Sequence, residues 1–417
     1  MNVLVHSLNY LPERVGIAVY SGGMAEWLAA HGHEVNVVSG PPYYPAWAVD
    51  PDYAFGWRST VENGVGVVRC PIYVPARPSG LRRILHHITF AISSFVPLLG
   101  KAAKHRPELI FVAAPSLVAA PVALLAARLF GAKAWLHIQD FEVEAAFSTG
   151  LLNANGPLAR LARWFEKRVM TAFDVVSSIS PNMCKRLELK GVAPHRIVEF
   201  RNWADLRTVA PTGVPSPYRA EWNIRTKFVA LYSGNIANKQ GIEILVDVAR
   251  LLRRRDDLTI VICGDGPSKQ QLMELADGAG NLVFQNLQPS ERLGELMSLA
   301  SVHLLPQLAG AADLVLPSKL TNMLASGRPV VAAAASGTAL AAEVSHGGMA
   351  VEPGNAEAFA HAIETLLDDE DLRTRLGSSA RERALEAWDP ERILGRFSTL
   401  AVRLTASAAT APEDQFP

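Results

Sequence analysis

Short runs of apolar residues alternate along the chain with longer segments whose apolar positions recur at helical spacing. Val, Ile, Leu and Ala fill the short runs without polar alternation, which is typical of strands buried on both faces of a parallel sheet. The pattern therefore predicts an α/β protein with helices covering its sheets. The predicted strands span residues 3–8, 34–39, 65–70, 109–113, 134–139, 175–179, 197–200, 228–233, 258–263, 282–284, 302–306, 330–331 and 351–353, and the clearest predicted helices span residues 24–31, 116–130, 158–172, 181–190, 290–300 and 390–404.

The alternation breaks over residues 201–226, where Pro and polar residues accumulate in NWADL and PTGVPSPY. A chain of 417 residues is also too long for a single hydrophobic core. We therefore predict two α/β domains, at residues 1–204 and 205–388. Residues 389–407 are predicted to form an amphipathic helix that crosses back to the first domain, and residues 408–417 a disordered tail.

One stretch, DLVLPSKLTNMLASGRPVV at residues 313–331, combines an apolar run, a helix start and a buried strand. Pro317 suits the first turn of a helix, where a missing N–H costs nothing. Ser318 can cap that start or donate to an anion, and Lys319 adds a full charge to the partial positive charge of the helix amino terminus. The stretch is consistent with a diphosphate site or with an ordinary surface helix whose lysine points into water.

A second segment of this kind follows the strand predicted at residues 228–233. Its sequence, GNIANKQGIEIL, leads from Gly234 and Asn235 through Lys239 into a helix, an arrangement that suits phosphate. The GK[ST] ending of a Walker loop is missing.

Two segments of the first half also carry polar or glycine residues near strand ends. The first strand is followed by a loop containing Gly16, Gly22 and Gly23 that lacks the GxGxxG pattern, so ligand approach and simple flexibility remain open. The strand at residues 134–139 ends in HIQD. His137 there is either a ligand-facing residue or a core histidine paired with a neighbour, and Asp140 either faces a ligand or caps the next segment.

Composition narrows the function classes. Forty basic and forty acidic residues cancel, which argues against bulk nucleic-acid binding. The three cysteines, at 70, 184 and 263, match no metal-ligand spacing and are expected to be reduced, as in a cytosolic protein; no metal site is predicted. The chain enters its first strand without a basic leader, so we expect no signal peptide and a cytoplasmic location.

Residues 80–106 combine an apolar run with flanking basic residues. The run itself, ITFAISSFVPLLG at 88–100, is too short to span a membrane. Two interpretations are compatible with each other: a helix packed on the sheet, and a helix of which one part of the surface touches anionic lipid. The flanking residues are Arg82, Arg83, His86, His87, Lys101, Lys104, His105 and Arg106.

The order of motifs resembles glycosyltransferase family 4 over nearly the whole chain. The residues that carry the resemblance are GIAVYSGGMAEWLAAHGHEVNVVS, HIQD, RNWAD, YSGNIANKQG, GDGP and LPSKLTNMLASGRPVV. The combination of NYLPE…GIA…Y with QDF and LPSKLTN is similar to the bacterial branch that includes colanic-acid and O-antigen fucosyl- or N-acetylfucosaminyltransferases.

This resemblance implies the GT-B fold, an α/β architecture of two Rossmann-like domains with parallel sheets facing an interdomain cleft. It also implies that the first domain binds the acceptor and the second a nucleotide diphosphate sugar. The donor residues it implies are Gly16, Gly234, Asn235, Lys239, Gly264, Leu287, Gln288, Leu316, Pro317, Ser318, Lys319 and Asn322. The residues it places near the reacting sugar and diphosphate are His137, Asp140, Asp313, Lys239 and Lys319.

The chain departs from the family pattern at positions that matter for chemistry. Family members have two glutamates before the AxGxPVV segment; here the second position is Asn322, and the first is Leu314 beside Asp313. The amide of Asn322 can still bond ribose hydroxyls. Asn235 stands where an arginine is common, so Lys239 and Lys319 are expected to supply the positive charge.

The resemblance implies a retaining enzyme without a cofactor other than its GDP- or UDP-linked donor. We expect Lys239, Lys319 and two helix amino termini to stabilise the leaving diphosphate without a metal. The expected reaction moves a sugar, such as the 6-deoxyhexoses fucose or N-acetylfucosamine, to a lipid-linked or polysaccharide acceptor in bacterial cell-surface polysaccharide biosynthesis. Peripheral contact with the inner face of the cell membrane is expected. The alternatives are a GT-B nucleotide-sugar epimerase and, because of Asn322, a catalytically inactive nucleotide-sugar-binding protein. A dehydrogenase fits least, since the dinucleotide fingerprint is missing.

Overall fold

The computed structural model describes residues 1–13, 16–148, 156–237, 240–308 and 317–406. The described residues form two compact units: one within Met1–Arg201 together with residues 393–406, and one within Asn202–Arg392. Each described unit is a sheet covered by helices, so the predicted α/β class with two parallel-sheet units is confirmed.

The described part of the first unit contains an eight-stranded sheet. Its strands are β1 Asn2–Ser7, β2 Glu34–Ser39, β3 Arg58–Glu62, β4 Val65–Arg69, β5 Leu109–Ala114, β6 Lys133–Ile138, β7 Val175–Ser178 and β8 Ile197–Glu199, in the order β3-β4-β2-β1-β5-β6-β7-β8. The β3–β4 pair is antiparallel and the other pairs are parallel. The helices are α1 Ile17–Ala30, α2 Gly80–His105, α3 Ala120–Phe130, α4 Glu142–Ser148, α5 Pro157–Met170 and α6 Pro181–Leu189.

The described part of the second unit contains a six-stranded parallel sheet in the order β11-β10-β9-β12-β13-β14. Its elements are α7 Tyr218–Glu221, β9 Phe228–Ser233, α8 Ile244–Leu251, β10 Leu258–Cys263, α9 Lys269–Leu275, β11 Leu282–Gln285, α10 Leu293–Ser298, β12 Val302–Leu305, α11 Ser318–Ala325, β13 Val330–Ala333, α12 Ala339–Val344, β14 Gly348–Val351, α13 Ala356–Asp368 and α14 Glu370–Ala387. The last helix, α15 Pro390–Ala406, belongs to the first unit from Ile393 onward.

The central strands are buried on both faces, as their uninterrupted apolar sequence predicts. In β9, Val229 and Leu231 enter one core, whereas Phe228, Ala230 and Tyr232 enter the core on the opposite face. The first unit is closed on one face by α15. The ring of Phe397 lies 4.9 Å from Trp135, 5.4 Å from Phe111 and 4.8 Å from Phe200.

The structure differs from the sequence predictions at several elements, and three of these differences have a clear physical reason. Helix α1 begins at Ile17, not at residue 24. Gly22 lies inside the helix because a larger residue would not fit there: an added Cβ would stand 2.2 Å from Leu11 Cγ. Strand β3 was missed because its exposed polar sequence, RSTVE, does not resemble a buried strand. The last strand is Gly348–Val351 rather than 351–353, since the backbone of Gly348 packs directly on Val330.

Candidate functional site

Strand order reverses at one point in each sheet, between β1 and β5 in the first and between β9 and β12 in the second. In open parallel sheets, ligands bind beyond the carboxyl ends of the strands at such a switch point. The loop containing Gly16 follows β1, the turn of Gly234 follows β9, and α11 follows β12. Gly16 itself has a φ of 60° and precedes the first residue of α1.

In the second unit, the turns that follow β9, β10 and β11 stack backbone against backbone. The N–H of Gly234 donates to Cys263 O at 3.0 Å, and the N–H of Gly264 donates to Gln285 O at 3.0 Å. A Cβ on Gly264 would lie only 1.9 Å from Gly234 O, so a side chain there would separate the turns. The carboxyl edge of this sheet is therefore a tight surface of peptide groups.

Lys319 extends over this edge from the first turn of α11. Its ammonium donates to the hydroxyl of Tyr232 at 2.9 Å and to Gln240 Oε1 at 3.4 Å, and it stands 4.4 Å from the centroid of the Tyr232 ring. It also lies beside Gly234, where an added Cβ would be 3.1 Å from Lys319 Nζ. The structure thus brings together Lys319 and Gly234, two residues that the sequence placed in one site.

Burial lowers the pKa of Lys319 to about 8. At neutral pH the ammonium is still mostly protonated, but it has lost part of its hydration. Among the described residues, no carboxylate lies within 4.0 Å of it. An ammonium has three N–H donors, and two have acceptors in the described chain, so a ligand anion can take the third.

Tyr232 was missed as a site residue in the sequence because it lies in a strand with the pattern of a core element. Its hydroxyl accepts from Lys319 and donates to Asn235 O at 2.7 Å. Burial raises the pKa of this phenol, so it stays neutral. Tyr232 therefore joins the end of β9, the turn that follows it and the first turn of α11. The available signal was a hydroxyl-bearing aromatic residue two positions before a glycine turn.

Helix α11 points its amino terminus at the same edge. Pro317 immediately precedes it with an extended conformation (φ −59°, ψ 123°), and Leu320, Met323 and Leu324 anchor the helix in the core. The N–H of Leu320 donates to Pro317 O at 2.9 Å. The amides before it have no carbonyl of a preceding helical turn to bond, and they carry partial positive charge. Asn322 lies one turn further on, where its Oδ1 accepts from the backbone N–H of Asp205 at 3.2 Å.

Leu287 and Gln288 lie in the turn after β11. The side chain of Leu287 is 61% exposed, and the Gln288 amide donates to Asn286 O at 2.7 Å. Lys269, like Tyr232, was missed in the sequence, and its side chain bonds this turn. Its Nζ donates to Asn286 Oδ1 at 2.6 Å and to Gly264 O at 3.0 Å. These bonds join the turn after β11 to the Gly264 turn.

In the first unit, His137 is 3% exposed and lies in the core. Its Nδ1 hydrogen bonds with Ser177 Oγ at 2.9 Å, and its ring lies 5.0 Å from Phe200 and 5.8 Å from Phe111. Burial lowers its pKa to about 3, so it is neutral near pH 7. This is the position of a paired core histidine, one of the two alternatives that the sequence left open; a contact with the sugar stays a prediction.

Asp140 is exposed just beyond the end of β6, at the carboxyl edge of the first sheet. Next to it, Glu142 accepts from the backbone N–H groups of Ser116, with a short bond, and of Leu117 at 2.8 Å. Burial raises the pKa of Glu142. Glu142 therefore orders the turn that follows β5, while the predicted role of Asp140 toward the sugar is left as a prediction.

Some predicted site residues lie outside the described part of the chain: Lys239, Asp313 and Leu316, together with the side chain of Ser318. Their roles stay predictions. Within the described ranges, no group of three or more His, Cys, Asp and Glu side chains is arranged to hold a metal ion.

Comparison with known proteins agrees with this geometry. Residues 15–203 match the glycosyl transferase 4-like domain, and residues 216–383 match glycosyl transferases group 1. The chain belongs to glycosyltransferase family 4, and its fold is of the GT-B class.

A particular relative matches over nearly its full length. The chain is 41% identical over 409 residues to the putative colanic acid biosynthesis glycosyl transferase WcaI of Escherichia coli, covering 95% of this chain and 98% of that protein. Sucrose-phosphate synthase from Thermosynechococcus elongatus superimposes with a TM-score of 0.75 at 19% identity, over 97% of this chain and 99% of that one. Anabaena Alr3699/HepE in complex with UDP gives 0.69 at 15% identity, over 97% and 100%. The two solved structures support the fold alone.

Proposed function

We propose that the protein is a retaining, metal-independent glycosyltransferase whose donor is a nucleotide diphosphate sugar. The observation that carries the proposal is the position of Lys319 at the amino end of α11, beside the Gly234 turn at the switch point of the second sheet. A full charge added to a helix amino terminus is an arrangement that binds phosphate. Lys239, in the loop after β9, is proposed to add a second charge.

The reaction breaks the bond between the anomeric carbon and the diphosphate, and the bonding electrons leave with the diphosphate. Groups that stabilise this growing charge lower the barrier most. The acceptor oxygen then bonds to the anomeric carbon on the face from which the diphosphate left. In the front-face route the acceptor proton passes to an oxygen of the leaving diphosphate. A covalent route through Asp140 or Asp313 is the alternative.

Several described residues are proposed to hold the rest of the donor. The peptide groups of Leu287 and Gln288 are proposed to contact the base, because Lys269 holds their turn in place. The side-chain nitrogen of Asn322 is proposed to donate to a ribose hydroxyl, since its Oδ1 already accepts from Asp205. The donor base is proposed to be guanine or uracil, and the sugar a 6-deoxyhexose such as fucose or N-acetylfucosamine.

The acceptor is proposed to be lipid-linked or a growing saccharide in cell-surface polysaccharide biosynthesis. This proposal is supported by the Escherichia coli relative, whose name places it in colanic acid biosynthesis. The enzyme is accordingly proposed to act in the cytoplasm, with peripheral contact at the inner face of the membrane.

Product analysis tests the proposed function. The protein would first be screened for thermal stabilisation by UDP, GDP, ADP and dTDP, because a ligand of the native state raises its stability. It would then be incubated with sugars carried on the base found, with and without a lipid-linked saccharide and with EDTA. We expect acceptor-dependent, EDTA-resistant transfer with retained anomeric configuration. A free or altered sugar without acceptor would support an epimerase, and binding without product an inactive protein.

A further inference from the structure

Helix α2 has two apolar faces. Over 26 residues it carries no acidic residue, and by length and composition it is the one helix in the described chain apolar enough to cross a membrane. One face is buried: His86, Phe90, Ser94, Leu98 and Ala102, spaced four apart. The other is exposed and follows the same helical spacing: Leu81, Leu85, Ile88, Ile92 and Val96, with exposed fractions of 78, 47, 37, 70 and 73%.

The buried face fixes α2 to the sheet. His6 Nε2 on β1 hydrogen bonds with Ser94 Oγ at 2.9 Å, and the His6 ring stacks on Phe90 at 4.9 Å. Near the other end, Lys101 donates to Asn36 Oδ1 on β2 at 2.8 Å. A membrane-spanning position would break these contacts, so the helix is suited to lie in the plane of a surface instead.

Pro97 lets a neighbouring loop bond to α2 and add to its exposed apolar face. Pro97 has no N–H, so the carbonyl of Ser93, four residues earlier, lacks its helical donor. The indole N–H of Trp57 donates to that carbonyl at 3.0 Å. Trp57 is 61% exposed and Phe55, two residues earlier, is 92% exposed. The proline therefore fastens an aromatic loop beside the apolar stripe of α2.

The charge along α2 has one sign, whereas the segment around Phe55 and Trp57 also contains Asp52 and Glu62. No Asp or Glu occurs from residue 63 to residue 107, whereas Arg77, Arg82 and Arg83 are exposed at the amino end of α2 and Lys104 near its carboxyl end. Basic groups that flank an apolar helix face are attracted to anionic headgroups. Tryptophan also favours the membrane interface, where its ring is buried and its N–H remains bonded.

The direction of α2 relates the surface to the ligand edge of the first sheet. The carboxyl end of α2 lies at the amino ends of the strands, because His105 contacts Glu34, the first residue of β2, at 2.7 Å. Its amino end consequently lies toward the carboxyl ends of the strands, where ligands bind.

We infer that Leu81, Leu85, Ile88, Ile92 and Val96 of α2, together with Phe55 and Trp57, form a docking face that lies in the headgroup region of an anionic bilayer. This inference rests on the proposed function in one respect, the peripheral membrane contact, for which it names the face; donor binding and sugar transfer do not depend on it. Other occupants of the face, a second copy of the chain or another protein, are outcomes of the test below.

The test is flotation of the full chain with vesicles of phosphatidylcholine alone or with 30% phosphatidylglycerol. We expect binding to the anionic vesicles and at least a tenfold weaker partition for the Ile92→Glu/Val96→Glu variant. The matched control is Leu189→Glu, which alters an 87% exposed leucine on α6 and should bind as the wild type does. The Trp57→Phe variant should show a smaller vesicle-induced blue shift of its tryptophan emission than the wild type.

Thermal stabilisation by the nucleoside diphosphate, measured on every variant without vesicles, separates this inference from the proposed function. A docking-face variant that keeps this stabilisation but loses vesicle binding supports the inference. Absence of wild-type flotation would overturn it, as would flotation that the double substitution leaves unchanged. Sedimentation velocity showing that the face instead mediates self-association, without vesicle binding, would also overturn it.

Discussion

His137 in the first unit and Lys319 in the second are both titratable residues near the carboxyl edge of a parallel sheet, and both are mostly buried. His137 is surrounded by Phe111, Phe200 and one serine hydroxyl, and burial lowers its pKa to about 3. Lys319 is surrounded by a phenol, a side-chain amide and glycine peptides, and its pKa is lowered only to about 8. The first residue is neutral at pH 7; the second keeps a charge and a donor for a ligand.

The comparison shows that burial of a titratable residue does not by itself identify a functional site. What distinguishes Lys319 is a charge that persists at neutral pH at a helix amino terminus and beside the Gly234 turn. His137 has its partner, and its neighbours are aromatic rings. The predictions below test this distinction, beginning with the largest expected effect.

Replacing Lys319 by alanine should lower kcat about 100- to 1,000-fold, because the proposed diphosphate site loses the ammonium that lies beside the Gly234 turn. The matched control is Lys227→Ala. Lys227 also stands over an aromatic ring, 4.7 Å from the centroid of Phe228, but at the opposite end of β9. Its substitution should leave turnover within about twofold, since no such transition-state contact is lost. Normal turnover of Lys319→Ala would contradict the charge assignment.

Acidification should destabilise the protein partly through His137. Its pKa is about 3 in the folded chain and about 6.5 when unfolded, so below pH 6.5 the unfolded chain binds the extra proton and stability falls as pH falls. Between pH 6.5 and 5 this group accounts for about 2 kcal/mol of lost unfolding free energy.

Urea denaturation of wild type and His137→Asn at both pH values measures the effect. The variant should show a smaller loss on acidification, and its turnover should be measured alongside. An unchanged acid dependence combined with a loss of turnover as large as that of Lys319→Ala would reverse the comparison, placing the chemistry at His137.

Tyr232→Phe should have the smallest effect. It keeps the ring beneath Lys319 but removes the hydroxyl that accepts from the ammonium and donates to Asn235 O. Loss of one such hydrogen bond costs about 1 kcal/mol, or roughly fivefold in kcat/KM. Because the charged form of Lys319 loses an acceptor, its pKa should fall further.

The pH profile of kcat/KM reports this pKa in the free enzyme. In the wild type we expect activity to decline above pH of about 8, as Lys319 loses its proton. The decline should begin at lower pH in Tyr232→Phe. A profile that does not move would show that the hydroxyl has no influence on the ammonium.

Much of the fold was predictable from local chemistry. Strands buried on both faces have continuous apolar sequence, so β1, β2, β9 and β10 were predicted within a residue or two. The start of α1 was missed because Gly22 is normally unfavourable in a helix, and its reason, the nearby Leu11, is a tertiary contact. Strand β3 was missed because edge strands can be polar.

The candidate site was predictable only in part. Pro317, Ser318 and Lys319 formed a local helix-start signal, and the structure places Lys319 beside Gly234. Tyr232 and Lys269 were missed because they act through residues distant in sequence, Lys319 in one case and Asn286 in the other. Likewise, the bond from Trp57 to Ser93 depends on a carbonyl that only the folded helix leaves open.

The most direct test of the central claim is calorimetric titration of wild type and Lys319→Ala with a nucleoside diphosphate and with the corresponding monophosphate. The account predicts that the substitution raises the Kd of the diphosphate at least tenfold and leaves the Kd of the monophosphate unchanged, because it assigns Lys319 to the β-phosphate, which carries the sugar in the donor and which the monophosphate lacks. Equal losses for both ligands, or no loss for the diphosphate, would contradict it.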